Sequence, residues 1–200
     1  MNLIAISLIA GSLWGIGEIL IWELLRALNV NMKSPFVFAY GILILTLSRS
    51  IYDKKGISIL TGLIALSFKF LHSKIFLCQL VAVMIQALFF EIGFSLIPYL
   101  RAILIPLFSS YFSFLGFALT AVYILKIPTW VKRGISGINH YVLVNASIAF
   151  ILSLITFNLA IILYNYFLSK EIKKMKLFYE KYGLIFSVIL FLISWLIINF

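Results

Sequence analysis

Apolar runs of about twenty residues follow one another along almost the whole chain, and that succession leaves few folds open. Reading the runs against their breakers predicts spans at 3–25, 36–52, 57–73, 75–97, 102–125, 142–168 and 184–200. A bilayer's hydrocarbon core is roughly 30 Å thick, so a helix rising about 1.5 Å per residue crosses it in about 20 residues. The expected fold is all-α, one polytopic transmembrane helical bundle of six to seven spans occupying 1–200. With 64% hydrophobic and 11% charged residues, no aqueous surface could be covered by the polar groups present.

The breaks have physical causes. Asn29 to Pro35 is a polar turn ending in proline, Asp53 to Gly56 a charged turn, and Pro98 with Arg101 interrupts a long apolar stretch. Pro106 is expected to kink the fifth span. Lys126 to His140 holds Pro128, Trp130, Lys132, Arg133, Gly134 and Gly137, which suits a surface loop or interfacial segment with Trp130 and Tyr141 as interface anchors. The segment 169–182 sets five lysines against Glu171 and Glu180 without a breaker, as expected of a short amphipathic helix on the membrane surface. Met1 to Ala10 has no basic n-region and runs on as one apolar stretch, so it reads as the first span rather than a cleaved signal peptide.

The net charge of +10 would suggest a nucleic-acid partner in a soluble protein. Here the Lys and Arg residues lie mostly between apolar runs, where they meet water and anionic head groups, so the expected partner is the lipid bilayer and not nucleic acid. The odd-numbered loops carry 7 Lys and Arg and the even-numbered loops 9, which leans toward a cytoplasmic N-terminus. Cys78 is the single cysteine and lies in an apolar run, so an intrachain disulfide is impossible and a small core residue is expected.

A charge near the bilayer centre costs at least about 2.5–3.5 kcal/mol on insertion scales, which directs attention to Glu18, Lys69 and Glu91. In the first span Ser7, Gly11, Gly15, Glu18, Trp22 and Arg26 recur at three- or four-residue steps, with Trp14 on the same face. Gly11 and Gly15 form a GxxxG step that admits another helix backbone at close range. Glu18 reads either as a paired or hydrogen-bonded structural carboxylate or as a ligand contact. The third span aligns Thr61, Gly62, Ala65 and Lys69, with His72 one turn beyond, and Lys69 either snorkels to the interface or projects inward. In the fourth, Gln79, Gln86 and Gly93 repeat every seven residues, with Glu91 about a third of a turn away. A Lys69 to Glu91 ion pair is the expected way to neutralise both charges.

The chain carries no GxxxxGK[ST], HExxH or GxSxG motif and no His and carboxylate cluster that could hold a catalytic metal. His72 and His140 fall near expected membrane boundaries in different loops. An enzyme is therefore not expected, and neither is a cofactor.

Three stretches, RSIYDKKGISILTGLIALSFK at 49–69, IQALFFEIGF at 85–94 and GSLWGIGE at 11–18, resemble small prokaryotic membrane proteins related to the substrate-binding S components of energy-coupling-factor transporters. The resemblance covers roughly the first half of the chain. It implies a six-helix plasma-membrane protein that binds a vitamin, its precursor or a metal chelate from outside and docks onto a coupling transmembrane subunit driven by two ATPases. It would place docking on Ser7, Gly11 and Gly15, where that family usually has alanines; a seventh span departs from its pattern. The expected function is capture of a small organic solute, with Glu18, Lys69, Gln86 and Glu91 facing the cavity and Trp14 and Trp22 stacking on a ring. A stand-alone secondary transporter and a structural or assembly protein are the alternatives.

Overall fold

The computed structural model describes residues 3–70, 77–97, 99–168, 183–189, 191–193 and 196. The first helix, α1 (Leu3–Ala27), stops where Asn29 takes a left-handed φ of 53°. There the Val30 N–H reaches the Leu25 carbonyl at 3.0 Å and the Asn29 N–H reaches that of Arg26 at 3.1 Å, so two otherwise orphaned carbonyls are satisfied. Pro35, in the first turn of α2 (Ser34–Ile51), supplies a residue whose missing N–H costs nothing there. Gly56, with φ of 91°, turns the chain into α3 (Ile57–Phe70), and α4 (Leu77–Leu96) follows. Helix α5 (Arg101–Leu119) runs through Pro106 and loosens into a π-helical turn at Thr120–Ile124. A single turn, α6 (Pro128–Val131), precedes α7 (Gly134–Leu163), which ends in a second π-helical turn at Tyr164–Leu168.

Five helices are long and apolar enough to cross a membrane, namely α1, α2, α4, α5 with its π turn, and α7 with its π turn; the chain is a multi-pass helical membrane protein. Among the described residues there is no strand. Helix α3 is a shorter apolar helix, and residues 183–189 and 191–193 are helical as well. The expected surface segment 169–182 lies outside the described residues, as does part of the expected span at 184–200. Helix α7 starts at Gly134 rather than at 142, although Gly137 and Asn139's neighbour His140 lower its local propensity; Ile138 is buried and Tyr141 packs on aromatic rings, and that packing overrides propensity.

Contacts between helices close a ring in the order α1, α2, α7, α5, α4, α3 and back to α1, with α2 also leaning inward onto α3 and α4. Helices α1 and α3 run parallel, because Gly11 meets Ile64 and Gly15 meets Phe68. Helices α4 and α5 run antiparallel, because Gly93 meets Phe108 while Gly116 meets Ile85 and Phe89. A Cβ on Gly11 would lie 2.6 Å from Ile64 and 2.8 Å from the Thr61 carbonyl, so only glycine permits this approach.

Without a hydrophobic drive between helices, packing and a few interhelical hydrogen bonds hold the ring, the latter worth about 0.6 kcal/mol each on average. The Gln86 amide on α4 donates to the Phe38 carbonyl at 2.7 Å, and the Thr156 hydroxyl on α7 donates to the Ala39 carbonyl at 2.9 Å. Helix α2 is thus gripped from two sides at consecutive residues. Tyr40 donates to the Leu13 carbonyl at 2.8 Å, and Tyr111 pairs with Ser147 at 2.8 Å.

Successive crossings give the bundle two ends. The base gathers Leu3, the Arg49–Ile57 turn and the Leu96–Arg101 turn, and the mouth gathers the Ala27–Ser34 turn, the start of α4 and residues 120–134. Ile42, Leu45, Phe90 and Ile105, all fully buried, fill the base half of the ring.

Candidate functional site

A cavity of about 570 Å³ occupies the mouth half. Helix α1 contributes Glu18 and Trp22, α2 Ser34, Val37 and Phe38, α4 Cys78, Gln79, Ala82, Val83 and Gln86, α5 Ser113, Phe114 and Phe117, and α7 Tyr141 and Asn145. Trp130 and Arg133 come from the segment that folds back between α5 and α7. Glu18 stands nine residues before Ala27, or about 13 Å into the bundle from the mouth end of α1, and is 7% exposed. Gln86 lies at a similar depth on α4. Its amide nitrogen is committed to Phe38, which fixes the side chain and leaves the amide oxygen as an acceptor in the wall.

The mouth is framed by aromatic rings in mutual edge contact. Trp130 meets Tyr141 at 4.6 Å between centroids and 87°, and Phe117 at 5.2 Å and 85°. The Arg133 guanidinium lies 4.6 Å over Trp130 and 6.0 Å from the Tyr141 centroid. Lys126, at φ of 48°, and Gly134, at φ of 65°, bracket this segment with left-handed turns that aim it back toward the bundle. Trp130 and Tyr141 therefore build the cavity wall, a role the expectation of interface anchors did not include. A four-residue helix folding back over the bundle has no periodic signature in the sequence, and the one local sign is Pro128 at its first turn, two residues ahead of Trp130.

Of the residues expected to contact a solute, Glu18, Trp22 and Gln86 are brought together in this cavity. Trp14 is fully buried against Gly41 and Gly62 and is a core residue, outside the cavity wall. The Lys69 side chain lies outside the described residues.

Glu91 is at the base, away from the cavity. Its carboxylate accepts the Gly56 N–H at 2.7 Å and the Ser58 N–H at 3.3 Å, capping the positive end of α3. The Arg49 guanidinium stands 3.8 Å from Glu91 and 3.4 Å from Asp53, and packs 4.5 Å over the Phe94 ring. Arg101 packs on Phe94 as well, at 4.8 Å. Among the described residues the partners of Glu91 are thus the start of α3 and Arg49, where a pair with Lys69 was expected. Because α3 and α4 are antiparallel, Ser58 meets Glu91 and Gly62 meets Ala87, which leaves Lys69 eleven residues farther along α3, roughly 16 Å away.

Ser7, Gly11 and Gly15, expected to dock a partner, are buried. Gly11 and Gly15 are pressed against Ile64 and Phe68 of α3, so the small face of α1 serves packing within the chain.

Among the described residues no three His, Cys, Asp or Glu side chains converge as metal ligands would. The cavity offers aromatic faces, amides, hydroxyls, a carboxylate and a guanidinium, a set suited to binding and orienting a molecule with an apolar body. No family model, curated protein or solved structure matches the chain.

Proposed function

We propose that the chain is a substrate-capture subunit of a membrane transport system, which takes a small organic solute of vitamin-like size into the cavity and passes it to an ATP-driven coupling module. The observation that carries this reading is the cavity of about 570 Å³, within the roughly 300–1,000 Å³ usual for small-molecule sites, with mainly apolar walls and a few fixed polar groups. With the N-terminus cytoplasmic, as the loop charges lean, the base faces the cytoplasm and the mouth opens outside. A ring of six helices with a further C-terminal helical segment is compatible with the six-helix plan of the S components that the sequence resembles. That resemblance is also the ground for a prokaryotic plasma membrane and for the ATPase partners. With the small face of α1 occupied by α3, docking on a coupling subunit would use another surface.

Affinity purification from native membranes in mild detergent, with mass spectrometry of proteins and small molecules, tests this reading. Recovery of a coupling membrane protein, two ATPases and a bound solute is the expected result. A solitary protein with bound solute would point to a stand-alone secondary transporter. Recovery of neither would overturn capture in favour of a structural role.

A further inference from the structure

Resting on the capture reading, we propose that the solute is an organic anion, a flat apolar body bearing a carboxylate or phosphate that Arg133 binds at the mouth. Arg133 presents a planar fork of donors that suits two oxygens of one oxyanion, and its stacking on Trp130 holds that fork beside the cavity. Among the described residues it has no carboxylate partner within ion-pair distance.

The surrounding field has the same sign. The described mouth residues include Arg26, Lys33, Lys126, Lys132 and Arg133 against Glu23, five positive charges less one negative, or +4. Glu23 is itself within 3.6 Å of Arg26. Lys33 stands 5.7 Å over Trp22, a second cation resting on a cavity-wall ring. Such an entrance concentrates anions and slows cations.

The aromatic mouth could otherwise suit an organic cation, but its Trp130 and Tyr141 faces already hold a resident guanidinium. An incoming ammonium group would meet that charge before reaching a free ring. Beyond the mouth the cavity wall is mainly apolar, with Val37, Phe38, Val83 and Phe114. The cationic mouth and the apolar wall behind it therefore orient the solute, with its anionic group at Arg133 and its apolar body inward.

The test uses the full chain in phosphatidylcholine nanodiscs and equilibrium dialysis of three probes, naphthalene-2-carboxylate, naphthalene-2-carboxamide and 2-(aminomethyl)naphthalene, with empty nanodiscs correcting for partition into lipid. The carboxylate is expected to bind about tenfold or more tightly than the amide or amine. Arg133→Gln should erase that preference, Arg133→Lys should keep part of it, and Lys55→Gln, at the base, should leave it intact. Melting temperature verifies that each variant is folded, and the lysine variant carries the test if the glutamine variant is not.

Equal binding of acid and amide, or a preference that survives Arg133→Gln, would overturn the anion assignment while leaving capture in place. Binding of none of the probes would count against the anion assignment and capture together. Repeating the assay with one third phosphatidylglycerol separates the two sources of oxyanion: undiminished carboxylate binding supports a free solute, and its loss assigns Arg133 to a lipid head group and overturns the solute.

Discussion

At the residue scale, the buried polar side chains divide by use: Gln86 ties α4 to α2 and Arg49 meets Glu91 across elements, whereas buried hydroxyls such as Ser12 and Thr46 bond the preceding turn of their own helix. Arg49 and Glu91 are 3% and 6% exposed, and each partly compensates the other's charge. Removing one partner of such a pair costs about 3–5 kcal/mol, whereas replacing both with apolar residues is often nearly neutral. Arg49→Leu or Glu91→Leu alone should sharply lower the melting temperature in detergent, and the double variant should regain much of the loss. Exchanging the charges of Lys69 and Glu91 should rescue nothing, and recovery by that exchange would contradict the placement of Glu91. Gly41→Ala sets a Cβ against the Gln86 amide and 2.9 Å from the Trp14 ring, so overpacking of about 1–3 kcal/mol should appear as a lower melting temperature.

At the element scale, the first six apolar runs read along the sequence correspond to described helices, five of them long enough to cross a membrane, because hydrocarbon rewards only continuous apolar helix and the breakers at Pro35, Gly56 and Arg101 each fall between helices or within a first turn. The convergence of Glu18, Trp22 and Gln86 was legible because helical periodicity assigns each to a polar face. Partner choice was not legible. The Glu91 pairing follows from the antiparallel crossing of α3 and α4, and the burial of the α1 small face from its parallel seam with α3; neither is encoded in one helix's periodicity. If that seam is internal, Gly11→Ala should lower thermal stability while recovery of any partner per folded molecule stays unchanged. Loss of partner at unchanged stability would instead restore the docking role. The Trp130 and Arg133 wall escaped sequence reasoning because its fold-back depends on two left-handed residues and on rings contributed by α5 and α7.

At the scale of the whole molecule, the ring separates a cavity in the mouth half from a packed base. Filling the cavity without disturbing the base should separate binding from folding. Ala82 lines the cavity, so Ala82→Trp should abolish co-purification of solute while the melting temperature falls little. Retained solute in that variant would move the binding site elsewhere.

The solid base has a further consequence for the cell. From Gln86 to Leu96, ten residues or about 15 Å of α4 run through the packed half of the ring, where Ile42, Leu45, Phe90 and Ile105 are fully buried. A vessel open at one face and packed at the other should exchange with a single compartment, so liposomes that hold it should keep an imposed proton gradient as long as empty ones do, and a faster collapse would show that the base is not closed.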